Sequence, residues 1–317
     1  MGENISSSDY RARRQWWIVF LVLVLIGFGG LIYSLWFETT SSKSNPRDAA
    51  VPTTSSFEIT ATAGLAASLD SGKILFSKET QTEVAPASLA KLFVVEYAMS
   101  VLKNLDSVKV GAEQALVPTG ASKAGLVPGP YSARQLARAS LIPSGSDAAY
   151  ALAAGAARKL GAKGDAQAQV DFFMEKLSTH LKEQGFKNTT IAEPCGFLPG
   201  STTTAEEALK ITRLALQNTL IKQIVQKPTQ KLFQPDGKEL VMRNTNKFLD
   251  QSSEFYQPNI KGVKTGSLEG LNNLISWYQA DQKAYIFVVL GAKTDEDRYR
   301  DTQKLIDQVK NLPQEQK

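Results

Sequence analysis

The chain of 317 residues contains one cysteine, Cys195, and one histidine, His180. A single cysteine excludes an intrachain disulfide and a cysteine-rich metal site, and a single histidine excludes a multi-histidine metal site. Neither metal nor cofactor is therefore expected. No lipoprotein anchor can form on a cysteine so deep in the chain. No G-x-S-x-G elbow accompanies His180, so it reads as a satisfied or exposed helix residue rather than a triad base. Without a second histidine to form a dyad elsewhere, Cys195 reads as structural. Charge of one sign does not dominate: 36 Lys and Arg face 31 Asp and Glu, a net +5. That excess fits a neighbour such as anionic lipid or an anionic polymer, and equally a balance set by solubility alone. No basic and aromatic stripe points to nucleic acid, and there is no internal repeat.

One long hydrophobic run is present. Trp16 to Phe37 holds no charged residue over its 22 positions, roughly 33 Å as a helix and enough to cross a hydrocarbon core. Trp16, Trp17 and Trp36 mark its ends as an aromatic belt does, and Arg11, Arg13 and Arg14 precede it. These arginines put residues 1–15 in the cytoplasm and everything after Phe37 outside it. The run is long for a signal peptide and no A-x-A site closes it, so a retained anchor is expected. Residues 38–56 are rich in Ser and Thr, with Pro46 and Pro52. They read as a flexible tether whose ends lie roughly 25 Å apart.

The remaining 57–312 reads as one globular domain followed by a short tail, 313–317. Strands are expected over Glu58–Leu69 and Lys73–Glu79 around the turn Asp70-Ser71-Gly72. A helix apolar on nearly every side is expected from Ala87 to about Lys103. Ser107 to about Val225 reads as short helices and loops, with helical spacing over Ser132–Leu141, Asp147–Leu160, Asp171–Gln184 and Thr204–Asn218. Thr204 and Glu207 have the spacing of a capping box. Strands return as Gln230–Gln234 and Lys238–Arg243 around Pro235-Asp236-Gly237, then Gly262–Thr265, Leu271–Ala280 and Ala284–Gly291, before a closing helix Asp295–Leu312. Strands at both ends of a helical middle predict an α+β domain: an antiparallel sheet flanked by helices, with an all-helical insertion.

Three short motifs carry chemistry. Ser88 and Lys91 are three residues apart, so on a helix they share a face. Ser88 falls in the first turn, at the positive end of the helix dipole. A lysine in an apolar helix must be paired or lose its proton easily, and such a lysine is a competent base for a serine nucleophile. Against this, Ser100 and Lys103 repeat the spacing at the other end of the same helix. Lys264-Thr265-Gly266, near a strand end, has the groups to grip a carboxylate, and its glycine permits close backbone approach; a plain surface strand end is the alternative. Ser144-Gly145-Ser146 offers a serine able to pass a proton, or simply a helix cap at Ser146 or Asp147.

Taken in order with their flanks, these segments resemble the serine-type D-alanyl-D-alanine carboxypeptidases, the small penicillin-binding proteins. The resemblance runs through Pro86-Ala87-Ser88-Leu89-Ala90-Lys91, Leu126-Val127-Pro128-Gly129, Pro143-Ser144-Gly145-Ser146-Asp147-Ala148-Ala149, Glu193-Pro194-Cys195-Gly196-Phe197, Asn244-Thr245-Asn246, Gly262-Val263-Lys264-Thr265-Gly266 and Val288-Val289-Leu290-Gly291-Ala292. It implies that Ser88 is acylated, Lys91 takes its proton and Ser144 relays a proton to the leaving D-alanine. Lys264 and Thr265 hold the terminal carboxylate beside Gly266. The N–H groups of Ser88 and Ser267 form the oxyanion hole, and Arg298 falls where the family places a carboxylate-binding arginine. Ser146 stands where the family usually has asparagine, which puts rate and substrate preference in question. The implied partners are a peptidoglycan stem peptide ending in D-Ala-D-Ala, β-lactams, and the membrane through the N-terminal helix. A serine β-lactamase, suggested by Glu193-Pro194, and an inactive peptidoglycan-binding relative are the alternatives.

Overall fold

The computed structural model describes residues 58–280 and 282–313. The expected anchor at 16–37 and tether at 38–56 lie outside the described residues. Among the described residues no helix is long and apolar enough to cross a membrane.

An antiparallel sheet of five strands joins the two ends of the domain. Its strands are β1 (Ala63–Ser68), β2 (Ile74–Lys78), β7 (Ile260–Leu268), β8 (Leu271–Ala280) and β9 (Lys283–Ala292), in the order β2-β1-β9-β8-β7. The first strand pairs with the last, Ala63 opposite Leu290 and Ser68 opposite Tyr285. Everything between β2 and β7 is therefore an insertion. Successive side chains leave a strand on opposite faces, and β9 uses both. Ile286, Val288 and Leu290 enter the larger core with Leu65 and Ile275, beneath the inserted helices. Tyr285, Phe287 and Val289 enter a second core with Leu305, Ile306 and Val309 of the closing helix α7 (Asp295–Asn311). Both faces are covered, so β9 reads as an unbroken apolar run in sequence.

The insertion holds α1 (Ala90–Val101), β3 (Ser107–Val110), β4 (Gly129–Ser132), α2 (Ala133–Leu141), α3 (Ser146–Lys159), α4 (Ala166–Glu183), α5 (Ala205–Gln217), α6 (Thr219–Val225) and the hairpin β5 (Thr229–Phe233) and β6 (Glu239–Arg243). It is not all-helical as expected. Besides the foreseen hairpin it carries the pair β3 and β4, in which Val108 faces Tyr131 and Val110 faces Gly129. Four residues are too few for a two-residue period to stand out. The hairpin turn follows its sequence: Gly237 takes φ +82° and Gln234 N donates to Lys238 O at 2.9 Å.

Other boundaries moved for tertiary reasons. Residues 58–62 do not join the sheet. The N–H groups of Thr60 and Ala61 and the Thr60 hydroxyl all donate to Asp301 Oδ2, at 2.8–2.9 Å, so a buried carboxylate on α7 takes the place of a strand partner. Helix α4 begins at Ala166 rather than Asp171, because Asp165 caps it by accepting from Ala168 N at 2.9 Å. Thr204 does cap α5, but the other half of the expected box is absent. Glu207 turns its carboxylate outward to Lys187 N, Asn188 N and the Thr189 hydroxyl. His180 is satisfied, 3.2 Å from Glu96 and stacked on Tyr97.

Truncating a β9 residue should reveal how much the two-faced sheet contributes. Phe287→Ala is expected to cost about 3–5 kcal/mol in urea unfolding. Phe233→Ala, at a side chain 68% exposed on the hairpin, is expected to stay within about 0.5 kcal/mol.

Candidate active site

The first half of the site is a tight turn feeding an apolar helix. Residues Ala87–Leu89 form a 3-10 turn before α1, not the α-helical start expected, and Ala87 takes φ +50°. Positive φ at a non-glycine residue is strained and persists only where the surroundings enforce it. Lys91 Nζ lies 2.8 Å from Ser88 Oγ and donates also to the Cys195 carbonyl at 3.4 Å. Ser88 is half-buried, whereas Lys91 is 1% exposed. Burial drives the Lys91 pKa down to about 8, against the opposing pull of the Glu193 and Asp147 carboxylates.

The second half belongs to the sheet. Lys264 and Thr265 sit in β7, and Lys264, 1% exposed, donates to Ser144 Oγ and to its neighbour's carbonyl, Thr265 O, both at 2.9 Å. Burial holds Lys264 well below the usual lysine range, and the Lys91 and Arg298 charges push it the same way. Ser144 is a second strained residue, φ +61°, with its carbonyl accepting from the Ser122 hydroxyl at 2.5 Å. The Thr265 and Thr245 hydroxyls are 2.5 Å apart.

Three glycines let the pieces meet. A Cβ on Gly266 would stand 2.7 Å from Pro86 O and 3.2 Å from Leu89 N, so only glycine lets β7 lie against the Ser88 turn. Gly196, at φ +71°, is pressed still harder onto Ala87 O. Gly145 has no room for a Cβ between Ala139 O and Ala124. Ser88, Lys91, Ser144, Lys264, Thr265 and Gly266 thus share one neighbourhood.

The other expected residues differ from expectation in detail. Neither Ser146 nor Asp147 caps α3; Gly145 holds the cap position without a side-chain bond. Ser146 is fully buried, its hydroxyl beside the Cys195 thiol. The Asp147 carboxylate instead accepts from the N–H groups of Ala124, Gly125 and Leu126 at 2.8–3.0 Å. Ser267 is exposed, and its hydroxyl accepts from Arg298 Nη1 at 3.0 Å. Arg298 is buried and committed inside the protein. The same nitrogen donates to Gly266 O and Asn273 O, and Nη2 pairs with Asp295.

Several residues take roles in the site that no motif assigned to them. Asn273 donates to Ala85 O and Pro86 O at 2.9 and 3.0 Å and accepts from Gly291 N, fastening the segment before Ser88 to the sheet. Glu193 accepts from Cys195 N, Phe197 N, Leu198 N and the Tyr150 hydroxyl. With four donors on its oxygens, Glu193 has no free lone pair to activate a water, which removes the feature that suggested a β-lactamase. Asp295 and Tyr150 enter only through the fold, whereas Thr245, within a segment of the resemblance, gains its place by its contact with Thr265.

Fold and geometry together define an α+β protein of the penicillin-binding, transpeptidase-like class. The crystal structure of the Streptomyces K15 DD-transpeptidase superposes with a TM-score of 0.72 at 26% identity, over 80% of this chain and 98% of that one. The chain belongs to the D-alanyl-D-alanine carboxypeptidase family, whose sequence profile matches residues 49–294. Among curated relatives, the carboxypeptidase DacF of Bacillus subtilis (strain 168) is 27% identical over 75% of this chain and 59% of its own length. The carboxypeptidase of Streptomyces sp. (strain K15) is 31% identical over 66% and 72%. The chain spans 58% of the length of DacC of Escherichia coli (strain K12), at 28% identity.

The buried lysine costs stability. In the unfolded chain Lys91 returns to 10.5, above its folded value of about 8. The unfolded state therefore binds more protons between those values, and stability from this group rises with pH across that window. Lys91→Met is expected to raise the thermal midpoint at pH 7 and to flatten that rise, as calorimetry at pH 7 and 10 would record.

Proposed function

We propose that the protein is a membrane-anchored serine D-Ala-D-Ala carboxypeptidase that trims the terminal D-alanine from peptidoglycan stem peptides through an acyl-serine intermediate. The single observation that carries this reading is the Ser88–Lys91 contact at 2.8 Å with the amine buried. Membrane attachment rests on the apolar run Trp16–Phe37 and its flanking arginines, which also put the active domain outside the cytoplasm. The family membership and the K15 relatives support the reaction class. For β-lactam binding the support is a likeness of fold, to penicillin-binding protein D2 of Listeria monocytogenes in an ampicillin-bound form.

In the proposed sequence the neutral Lys91 amine turns its lone pair to the Ser88 hydroxyl and takes the proton. Ser88 Oγ attacks the carbonyl carbon of the penultimate D-alanine, and the N–H groups of Ser88 and Ser267 receive the developing oxyanion. The C–N bond then breaks, and the leaving amine takes the Ser144 hydroxyl proton, which is replaced from the lysines behind it. Water hydrolyses the ester and restores Ser88. Lys264 polarises Ser144 and, with Thr265, holds the terminal carboxylate; the buried Arg298 contributes through Ser267, whose hydroxyl it holds.

A fluorescent penicillin should label the full chain, and intact mass should show one adduct that Ser88→Ala abolishes. Equal labelling of that variant would overturn the assignment. Because Lys91 must be neutral to act, the rate of labelling should rise with pH to a plateau, with its midpoint near Lys91's value of about 8.

A further inference from the structure

The hydrogen bonds of Glu193 go to its own loop and to Tyr150 rather than to Ser88 or β7, and through them it organises a loop that reaches the Ser88 turn. Its Oε2 accepts from Cys195 N at 2.8 Å and the Tyr150 hydroxyl at 3.0 Å, and its Oε1 from Phe197 N at 2.5 Å and Leu198 N at 3.2 Å. One buried carboxylate thus closes the 193–198 loop on itself and fastens it to α3, the helix that follows Ser144-Gly145-Ser146. The loop so fixed makes two contacts with the first half of the site. The Cys195 carbonyl accepts from Lys91 Nζ, and Gly196 abuts Ala87 O behind the Ser88 turn.

We propose that Glu193 is a positioning residue for the Ser88–Lys91 pair: it aims the Lys91 amine by holding the Cys195 carbonyl against it, and it supplies a buried negative charge beside that amine. The inference rests on the proposed role of Lys91 as base for Ser88. The ionisable groups around Lys91 are Glu193 and Cys195 on this loop, Asp147 and Tyr150 on α3, and Lys264 on β7, with Arg298 of α7 beyond it. Cys195 and Tyr150 are held in their neutral forms, their acidities pushed down mainly by burial. The two carboxylates therefore oppose the desolvation of Lys91, whereas the charged neighbours acting on Lys264 are both cations. Asp147 performs the matching task on the opposite wall, where it gathers the N–H groups of Ala124, Gly125 and Leu126. It sits three residues before Tyr150, on the same face of α3. A single helix face thus carries the attachment points of both walls.

The test follows the rate of acylation by a fluorescent penicillin across pH 6 to 10, in the full chain and in Glu193→Gln, Glu193→Asp and Tyr150→Phe. Losing the charge in Glu193→Gln should slow acylation roughly tenfold at the plateau and move the acid-side midpoint down by about one pH unit, since Lys91 sheds its proton more readily without that anion. Tyr150→Phe keeps the charge and should keep the midpoint. A purely structural loop residue would lower the rate and leave the midpoint in place. A wild-type midpoint in folded Glu193→Gln therefore overturns the proposal, whatever its rate. If that variant does not fold, Glu193→Asp decides: it shifts the carboxylate by one methylene relative to the amine, so a midpoint moved off the wild-type value supports the proposal and a wild-type midpoint overturns it. Failure of the wild-type chain to label, or labelling that survives Ser88→Ala, is a different outcome and would sink the reading on which this inference rests.

Discussion

The removal of two lysine side chains from water is the constraint on which the site depends. Lys91 and Lys264 are each 1% exposed, and an unpaired buried ammonium is among the costliest groups a fold can hold. The charge of Lys91 adds to the cost of charging Lys264. The fold answers differently at each. Around Lys91 it sets a carbonyl and two carboxylates, which leave the amine able to gain or lose a proton near pH 8. Around Lys264 the charged groups are cations and the direct partners neutral, the Ser144 hydroxyl and the Thr265 carbonyl. One lysine is thereby suited to moving a proton, the other to directing a serine.

Such burial needs rigid walls, and these are built from main chain gathered by single polar side chains. Asp147 collects the N–H groups of 124–126, Glu193 those of 195, 197 and 198, and Asn273 the carbonyls of 85 and 86. Each links an irregular segment to a helix or strand, the arrangement by which loops are given the precision of the scaffold beneath them. The strain at Ala87 and Ser144 is sustained by this framework, with Gly196 packed against the first, Gly266 against its neighbours Pro86 and Leu89, and Ser122 bonded to the carbonyl of the second. Serine at 146 fits the same economy of space, since its side chain is fully enclosed.

Much of the scaffold was legible from the sequence because it follows from local rules. The hairpin at Pro235-Asp236-Gly237, the strand Leu271–Ala280 and the closing helix from Asp295 are specified by turn chemistry, apolar runs and an acidic first turn. Where a distant partner intervened, local rules misread the chain. Asp301 drew 58–62 away from the sheet, and Glu207 left its own helix to bond residues 187–189. Neither partner can be inferred from spacing, because each lies across the fold or on another segment.

The site divides in the same way. The motifs around Ser88, Lys91, Ser144 and Lys264-Thr265-Gly266 marked which groups would meet, but not the local form that carries them, since the backbones of Ala87 and Ser144 are strained and held by their surroundings. Only the tertiary structure decided the environment of those groups. Whether a lysine is buried, which carbonyl faces it, and which carboxylates stand near enough to matter depend on segments separated by a hundred residues or more, as Lys91 and Cys195 are. Desolvation and charge act through space, and spatial neighbours are what folding alone supplies.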